Sequence, residues 1–225
     1  MNNQDIYNSE TELLQAMRER FYAAVIADIL DDYGYRNQVM SHTIRPLKPE
    51  TVVAGRAKTV LCSDVYEIPA SPYQKEIESV DRLTANQVLV CTTNGSVRYS
   101  FWGELLSTAA VARSATGAVI DGFTRDTRAI IEMDFPVFAT GRLPTDSKGR
   151  GEVVDYDVPI DCGGVIVNAG DIVFGDDDGV VIIPQEVEQQ VIQSAFRKVS
   201  QENQIRQELL EGASVRSVFD KYGIL

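Results

Sequence analysis

Apolar residues fall at Leu13, Leu14, Met17, Phe21, Val25, Ile29 and Leu30, a helical spacing with one break near Arg18–Phe21 that ends before Gly34. Ser9 and Glu12 ahead of it form a capping-box pattern, in which a hydroxyl and a carboxylate satisfy the first free amides. From residue 51 the period changes. The stretches TVVAGRAKTVL (51–61) and QVLVCT (87–92) are rich in valine and threonine, branched side chains that suit a pleated surface, and they predict strands. ELLSTAAVARSA (104–115) predicts a helix, with Gly103 before it and Gly117 after it. A strand at 117–121, a short helix from about 126 to 133 and a strand at 136–140 (PVFAT) complete the middle of the chain.

Strands alternating with helices imply parallel pairing through crossover helices. The stretch GRLPTDSKGR (141–150) has no period and predicts a mobile loop. After it VVDYDVPI alternates, and GVIVNAG, DIVFG and GVVIIP follow with turn signals between them, a run of antiparallel or mixed strands. Pro184 opens a long helix over 185–211 with Val187, Val191, Ala195, Phe196 and Val199 on one face, and a tail helix near 213–222 follows. The expectation is one α/β domain over 1–225. It has three layers and a mixed sheet, with N-terminal helices in 1–33 and a helical C-terminal arm over 185–225.

Composition narrows the function. With Lys+Arg 21 against Asp+Glu 33, the net charge is −12, which argues against nucleic acid as a partner because phosphate binding needs a basic face. An acidic small molecule would need particular arginines, backbone amides or a metal. Cys62, Cys91 and Cys162 are widely spaced with no C-x-x-C pair, and predict buried, reduced thiols rather than a zinc site or a disulfide frame. His42 is the only histidine and predicts a loop or surface residue. The polar start MNNQDIYNSE is neither a signal nor a transit peptide, and no apolar run approaches 18 residues, so a cytoplasmic protein without a membrane span is expected.

Nucleophile and nucleotide motifs are absent. There is no G-x-S-x-G, no P-loop, and Gly149-Arg150-Gly151 lies outside the strand–helix context of a dinucleotide fingerprint. Asp176-Asp177-Asp178-Gly179 is too short for an EF-hand and predicts a turn. Two places remain. Gly103-Glu104-Leu105-Leu106 opens a helix, whose free amides and partial positive charge suit a small carboxylate; taken alone it reads first as an ordinary helix start with Glu104 near the dipole. Arg125-Asp126 follows the strand AVIDG, where open α/β sheets place ligands at carboxyl ends. Asp126 is a hard oxygen ligand suited to Mg²⁺ or Mn²⁺, and Arg125 is a planar fork of donors for a carboxylate or oxyanion. Taken alone, Asp126 reads first as a helix cap and Arg125 as a solvated residue.

Glu104, twenty residues, then Arg125-Asp126 resembles the acid-X20-Arg-Asp signature of the class II pyruvate aldolases, a family that shares the RraA-like, swivelling-domain fold with the RraA regulators of ribonuclease activity. The stretches VVAGRAKTV (52–60), FWGELLSTAA (101–110), GAVIDGFTRD (117–126), GGVIVNAGDIVFGDDDGVVIIP (163–184) and FDKYGIL (219–225) are similar to that family, over most of the chain from about residue 20. The resemblance implies that Asp126 holds Mg²⁺ or Mn²⁺ and that Arg125 binds the pyruvyl group and steadies its enolate. It implies that Gly103, Leu105 and Leu106 hold the pyruvate carboxylate through their amides. The first acid, usually Asp, is Glu104 here, one methylene longer, and orders water. A further carboxylate is implied from a neighbouring subunit's C-terminal arm, with Glu202 as the candidate, though the residue pattern alone reads Glu202 as solvated.

The implied reaction is cleavage of a 4-hydroxy-2-oxo acid, such as 4-hydroxy-4-methyl-2-oxoglutarate, to pyruvate and a second carbonyl compound. Oxaloacetate decarboxylation is expected alongside, in a homotrimer or homohexamer. The competing class is a regulator that masks a ribonuclease or helicase; members of that kind can lack the aspartate after the arginine, and Asp126 argues for the enzyme. A menaquinone methyltransferase is excluded because no glycine-rich nucleotide loop follows an early strand.

Overall fold

The computed structural model describes residue 7 and residues 9–223; positions 1–6, 8, 224 and 225, at the ends of the predicted N-terminal and C-terminal segments, lie outside them. The first helical pattern is two helices, α1 (Glu10–Arg20) and α2 (Ala23–Asp32), parted by extended backbone at Phe21 and Tyr22. The Ser9 hydroxyl accepts the Glu12 amide at 3.2 Å, as the capping pattern requires. The Asp176 carboxylate accepts the Ala23 amide at 2.8 Å and so anchors the start of α2 to the sheet.

The remaining elements are β1 (Arg45–Pro46), β2 (Val53–Asp64), α3 (Gln74–Asp81), β3 (Gln87–Thr92), β4 (Ser100–Trp102), α4 (Glu104–Ala112) and β5 (Gly117–Thr124). They continue with α5 (Thr127–Glu132), β6 (Val137–Arg142), β7 (Gly151–Tyr156), β8 (Ile160–Cys162) and β9 (Val165–Val167). The last are β10 (Ile172–Asp176), β11 (Gly179–Ile183), α6 (Glu188–Leu210) and α7 (Val215–Tyr222). The main sheet runs β1-β6-β5-β3-β2-β10-β11, with β4 joined to β5 and β7 to β2. The pairs β2–β3, β3–β5 and β5–β6 are parallel, as the alternation predicts, and β10 pairs antiparallel with both β2 and β11. This is an α/β fold with a mixed sheet and a helical C-terminal arm.

Strand alternation sends successive side chains to opposite faces. Val88, Val90, Val119, Phe138, Val173 and Ile182 face one cluster, closed by Ile160, Cys162, Val165 and Val167 of the small β8–β9 sheet. Leu89, Cys91, Ile120 and Val137 face the opposite side, where Leu83, Ala110 and Ile130 meet them from the α3–α5 layer. Phe174, Val181 and Ile183 pack under α1, α2 and α6. Residues 38–46 run between the two ends of the sheet. Met40 donates to Val180 O and Ile182 to Gln38 O at 2.9 Å each, while β1 pairs with β6, which curls the sheet nearly into a barrel.

Several boundaries differ from the predicted ones. α4 stops at Ala112 rather than 115, because Ser114 turns left-handed (φ 59°) to enter β5. The run VVDYDVPI breaks at Asp157 (φ 57°) into β7 and β8, which belong to different sheets. α6 starts at Glu188, a turn after Pro184. The predicted mobile loop 141–150 is instead a pinned segment. β6 continues to Arg142, Thr145 O accepts the Ser100 amide at 2.8 Å, and Ser147 is buried. The strand β4, too short to show a period, supplies that anchor. Cys62, Cys91 and Cys162 are buried free thiols, and Asp176–Gly179 is the β10–β11 turn. Among the described residues no helix is long and apolar enough to cross a membrane.

Candidate active site

β5 ends at Thr124, and the chain then turns through Arg125 and Asp126 into α5. Beside it β4 runs parallel to β5 and leads through Gly103 directly into α4. Trp102 O joins the two paths, accepting the Arg125 amide at 2.9 Å and the Thr124 hydroxyl at 3.1 Å. The start of α4 is fixed from within. The buried indole of Trp102 donates to Ser107 Oγ at 2.8 Å, and that hydroxyl donates to Gly103 O at 3.0 Å. The helix opening and the Arg-Asp pair, twenty residues apart in sequence, are therefore adjacent in space.

The simple cap reading of Asp126 does not hold. Asp126 occupies the N-cap position of α5 but makes no side-chain cap there. Its backbone is left-handed (φ 55°), a region that Asp tolerates better than most residues but that still stores strain. Oδ2 reaches across to α4 and accepts the Glu104 amide at 3.3 Å. Gly103 makes this approach possible by its lack of a side chain, not by its backbone angle. A Cβ there would lie 2.8 Å from Asp126 Oδ2 and 3.3 Å from Arg125 Cγ.

Arg125 is flanked by two carboxylates. Its Nε lies 3.8 Å from Asp126 Oδ2, and one terminal nitrogen lies 3.1 Å from Asp146 Oδ1. The three side chains are between a third and a half exposed, so the group borders solvent. Asp146 in turn accepts the Tyr73 hydroxyl and, at 3.3 Å, the Lys148 amide. Burial would raise the Asp146 pKa, but the Tyr73 hydroxyl, the Lys148 amide and the Arg125 charge outweigh it and lower it. Tyr73 is pushed up to about 12, first by burial and then by its bond to Asp146. Glu76 on α3 receives the Ser147 hydroxyl at 3.4 Å and is raised to about 7, by burial and then by the charge of Asp146.

The structure thus brings together Gly103, Glu104, Leu105, Leu106, Arg125 and Asp126. The Leu105 and Leu106 amides lie in the first turn of α4, where no intrahelical acceptor exists. Leu105 is 76% exposed, so this end of the helix faces outward. The Glu104 carboxylate accepts Thr108 Oγ1 at 2.9 Å along its own helix. Glu202 is not brought in. It lies on α6, with Arg206 as its neighbouring charge, and no hydrogen bond or ion pair within the chain ties it to Arg125 or Asp126. Sequence reasoning missed Trp102, Ser107, Tyr73, Glu76 and Asp146; the last three come from an element and a loop without clear periodicity.

No group of three or more His, Cys, Asp or Glu that could hold a metal occurs among the described residues. The donors present nonetheless fit a hard dication with a largely aqueous shell. Mg²⁺ keeps several waters and binds proteins through one or two carboxylates. The partly exposed Asp126 carboxylate, held by an adjacent amide, meets that demand.

The chain resembles known proteins in sequence and in fold. The family described as RraA-like: Aldolase/RraA matches residues 23–182. A Halalkalibacterium halodurans protein named "Putative 4-hydroxy-4-methyl-2-oxoglutarate aldolase" is 32% identical over 77% of this chain and 77% of its own length. Protein DlpA of Legionella pneumophila is 28% identical over 89% of this chain, which spans only 32% of that longer protein. The crystal structure of Streptomyces coelicolor RraAS2, described as an unusual member of the RNase ES inhibitor RraA protein family, superposes with a TM-score of 0.78 at 27% identity, covering 88% of this chain and 98% of that one. By the family match over residues 23–182 and the likeness to the Halalkalibacterium protein, the chain belongs to the RraA-like family.

Proposed function

We propose that the protein is a divalent-metal-dependent class II aldolase. It cleaves a 4-hydroxy-2-oxo acid, such as 4-hydroxy-4-methyl-2-oxoglutarate, to pyruvate and a second carbonyl compound, and decarboxylates oxaloacetate as a side activity. The observation that carries this reading is the Asp126 carboxylate turned away from its own helix toward the α4 N-terminus, beside Arg125. An exposed anion, a guanidinium and free helix amides within one small region match a 2-oxo acid and its counter-ion.

Mg²⁺ or Mn²⁺ held by Asp126 would supply Lewis-acid polarisation of the 2-oxo group. The chain's own residues do the rest. The Leu105 and Leu106 amides, next to Gly103, bind the carboxylate with the favourable end of the α4 dipole. Glu104 orders the water that takes the 4-hydroxyl proton, so the C3–C4 bond breaks to give the second carbonyl compound and an enolate, and a proton returned to C3 yields pyruvate. Arg125 faces the developing enolate charge with donors already in place. Oxaloacetate leads to the same enolate by loss of CO₂, so one site serves both reactions. No amine nucleophile is needed.

Pyruvate release from a panel of 4-hydroxy-2-oxo acids and from oxaloacetate, with and without EDTA, tests the reading. Activity lost in EDTA and restored by Mg²⁺ or Mn²⁺ is expected. Full turnover in thoroughly chelated protein sinks the metal-dependent reading. No turnover on any substrate moves the regulator reading, for which the RraAS2 likeness speaks, ahead of it.

A further inference from the structure

We propose that Asp146 is a positioning residue that holds the Arg125 guanidinium for catalysis, and that Tyr73 holds Asp146. The inference rests on the reading that Arg125 faces the reacting oxyanion. Arg125 projects from the end of β5 on a long side chain, and its Asp126 contact, at 3.8 Å from Nε, is at the limit of an ion pair. Asp146 meets the far end of the fork at 3.1 Å. The two carboxylates face different guanidinium nitrogens, Asp126 the Nε and Asp146 a terminal nitrogen, so the fork lies between two charges.

Asp146 is itself held more firmly than a surface ion pair requires. The Tyr73 hydroxyl and the Lys148 amide bond its Oδ2, Arg150 bonds its carbonyl at 3.1 Å, and its backbone bridges to Ser100, three residues before Gly103. Tyr73 pays for its place with a left-handed backbone (φ 65°), rare for a bulky side chain. Strained residues, Tyr73 and Asp126, therefore stand on both sides of one arginine. Exposed ion pairs contribute little to stability, so stability does not account for this outlay of strain and hydrogen bonds. Orientation of the arginine does.

The test is a double-mutant cycle on the Mn²⁺-loaded protein with oxaloacetate: parent, Asp146→Asn, Arg125→Ala and the double variant, with Tyr73→Phe as a milder change that removes one hydroxyl. Asp146→Asn should lower kcat about 10- to 100-fold, the usual cost of losing an orienting partner, with KM held within about threefold. Tyr73→Phe should lower it less. In the Arg125→Ala background Asp146→Asn should do no further harm, because the group it positions is gone. Additive losses overturn the proposal, as does a lower KM with kcat retained, which would make Asp146 a competitor for the substrate's place on Arg125. A second readout needs no turnover: the ¹⁵N NMR signals of the Arg125 guanidinium, identified by their loss in Arg125→Ala, should report hindered rotation in the parent and averaging in Asp146→Asn. Unchanged signals overturn the proposal. If the parent releases no pyruvate, the aldolase reading falls, and the NMR result alone decides whether Asp146 positions Arg125.

Discussion

The carboxylate of Asp126 accepts the backbone amide of Glu104, 22 positions earlier in the chain, at 3.3 Å. The two acids of the signature are thus linked by the side chain of one and the main chain of the other. The bond places the negative group at the favourable end of α4, where a small anion would also be drawn. Each part of the region can be tested separately.

Asp126→Asn should remain folded, since asparagine also tolerates a left-handed backbone, while losing the charge a dication needs. Mn²⁺ titration followed by relaxation or calorimetry should show loss of binding, with aldol cleavage and decarboxylation lost together. Parent-like Mn²⁺ affinity in this variant would remove Asp126 from the metal site.

Arg125→Ala should keep Mn²⁺ binding and lose about 10²–10³ in kcat on oxaloacetate, the typical effect of deleting one preorganised donor. Arg125→Lys should restore only part, because an ammonium cannot span the separate contacts to Asp126 and Asp146. Steady-state kinetics on both variants checks this, and normal turnover by Arg125→Ala would count against the whole assignment.

Gly103→Ala should affect the site more than the fold. The new methyl meets Asp126 Oδ2 at 2.8 Å, a side-chain end that can move, so the melting temperature should change little. Moving that oxygen should weaken Mn²⁺ binding about tenfold. A variant that melts early but binds Mn²⁺ normally would show that Gly103 serves packing alone.

Glu76 should make stability depend on pH. Its folded pKa of about 7 lies above the ordinary 4.5, chiefly through burial and the Asp146 charge, against the Ser147 hydroxyl and Arg125. A raised acid binds more protons folded than unfolded, so its contribution is complete below the ordinary value and is lost as pH rises through about 7. Glu76→Gln, which cannot ionise, should therefore lose less stability than the parent between about pH 5 and about pH 8. Urea unfolding at the two pH values gives the comparison, and parallel losses would mean that Glu76 titrates as an exposed carboxylate.

Assembly into trimers or hexamers is expected. Leu210 and Phe219 on the C-terminal arm are 77% and 44% exposed, apolar surface that a second copy could cover. Sedimentation at micromolar concentration should give three or six copies, and a monomer would remove any role for Glu202 in a neighbour's site.

What could be read from sequence divides along physical lines. Buried parallel strands such as Val88–Cys91 and Gly117–Ile120 announce themselves by apolar runs, and α1, α2 and α6 by their period. Arg125 and Asp126 stood out because they follow such a run directly. β4 has three residues and β1 two, too few for any period, yet β4 carries Trp102 to the site. Asp146 meets Arg125, and Tyr73 meets Asp146, only through tertiary contact, from a loop and the cap of a helix whose start no local signal marks. The loop 141–150 looked free because its anchors, Ser100 and Glu76, lie far away in sequence.

Trp102 O accepts both the Arg125 amide and the Thr124 hydroxyl, while Trp102 and Gly103 are tied to α4 through Ser107. A push on the helix is thereby transmitted to the arginine and the aspartate, so the carboxylate cradle and the charged pair travel as one rigid jaw. The Asp146 segment, tied through Thr145 to Ser100 and paired with Arg125, is coupled to that same jaw.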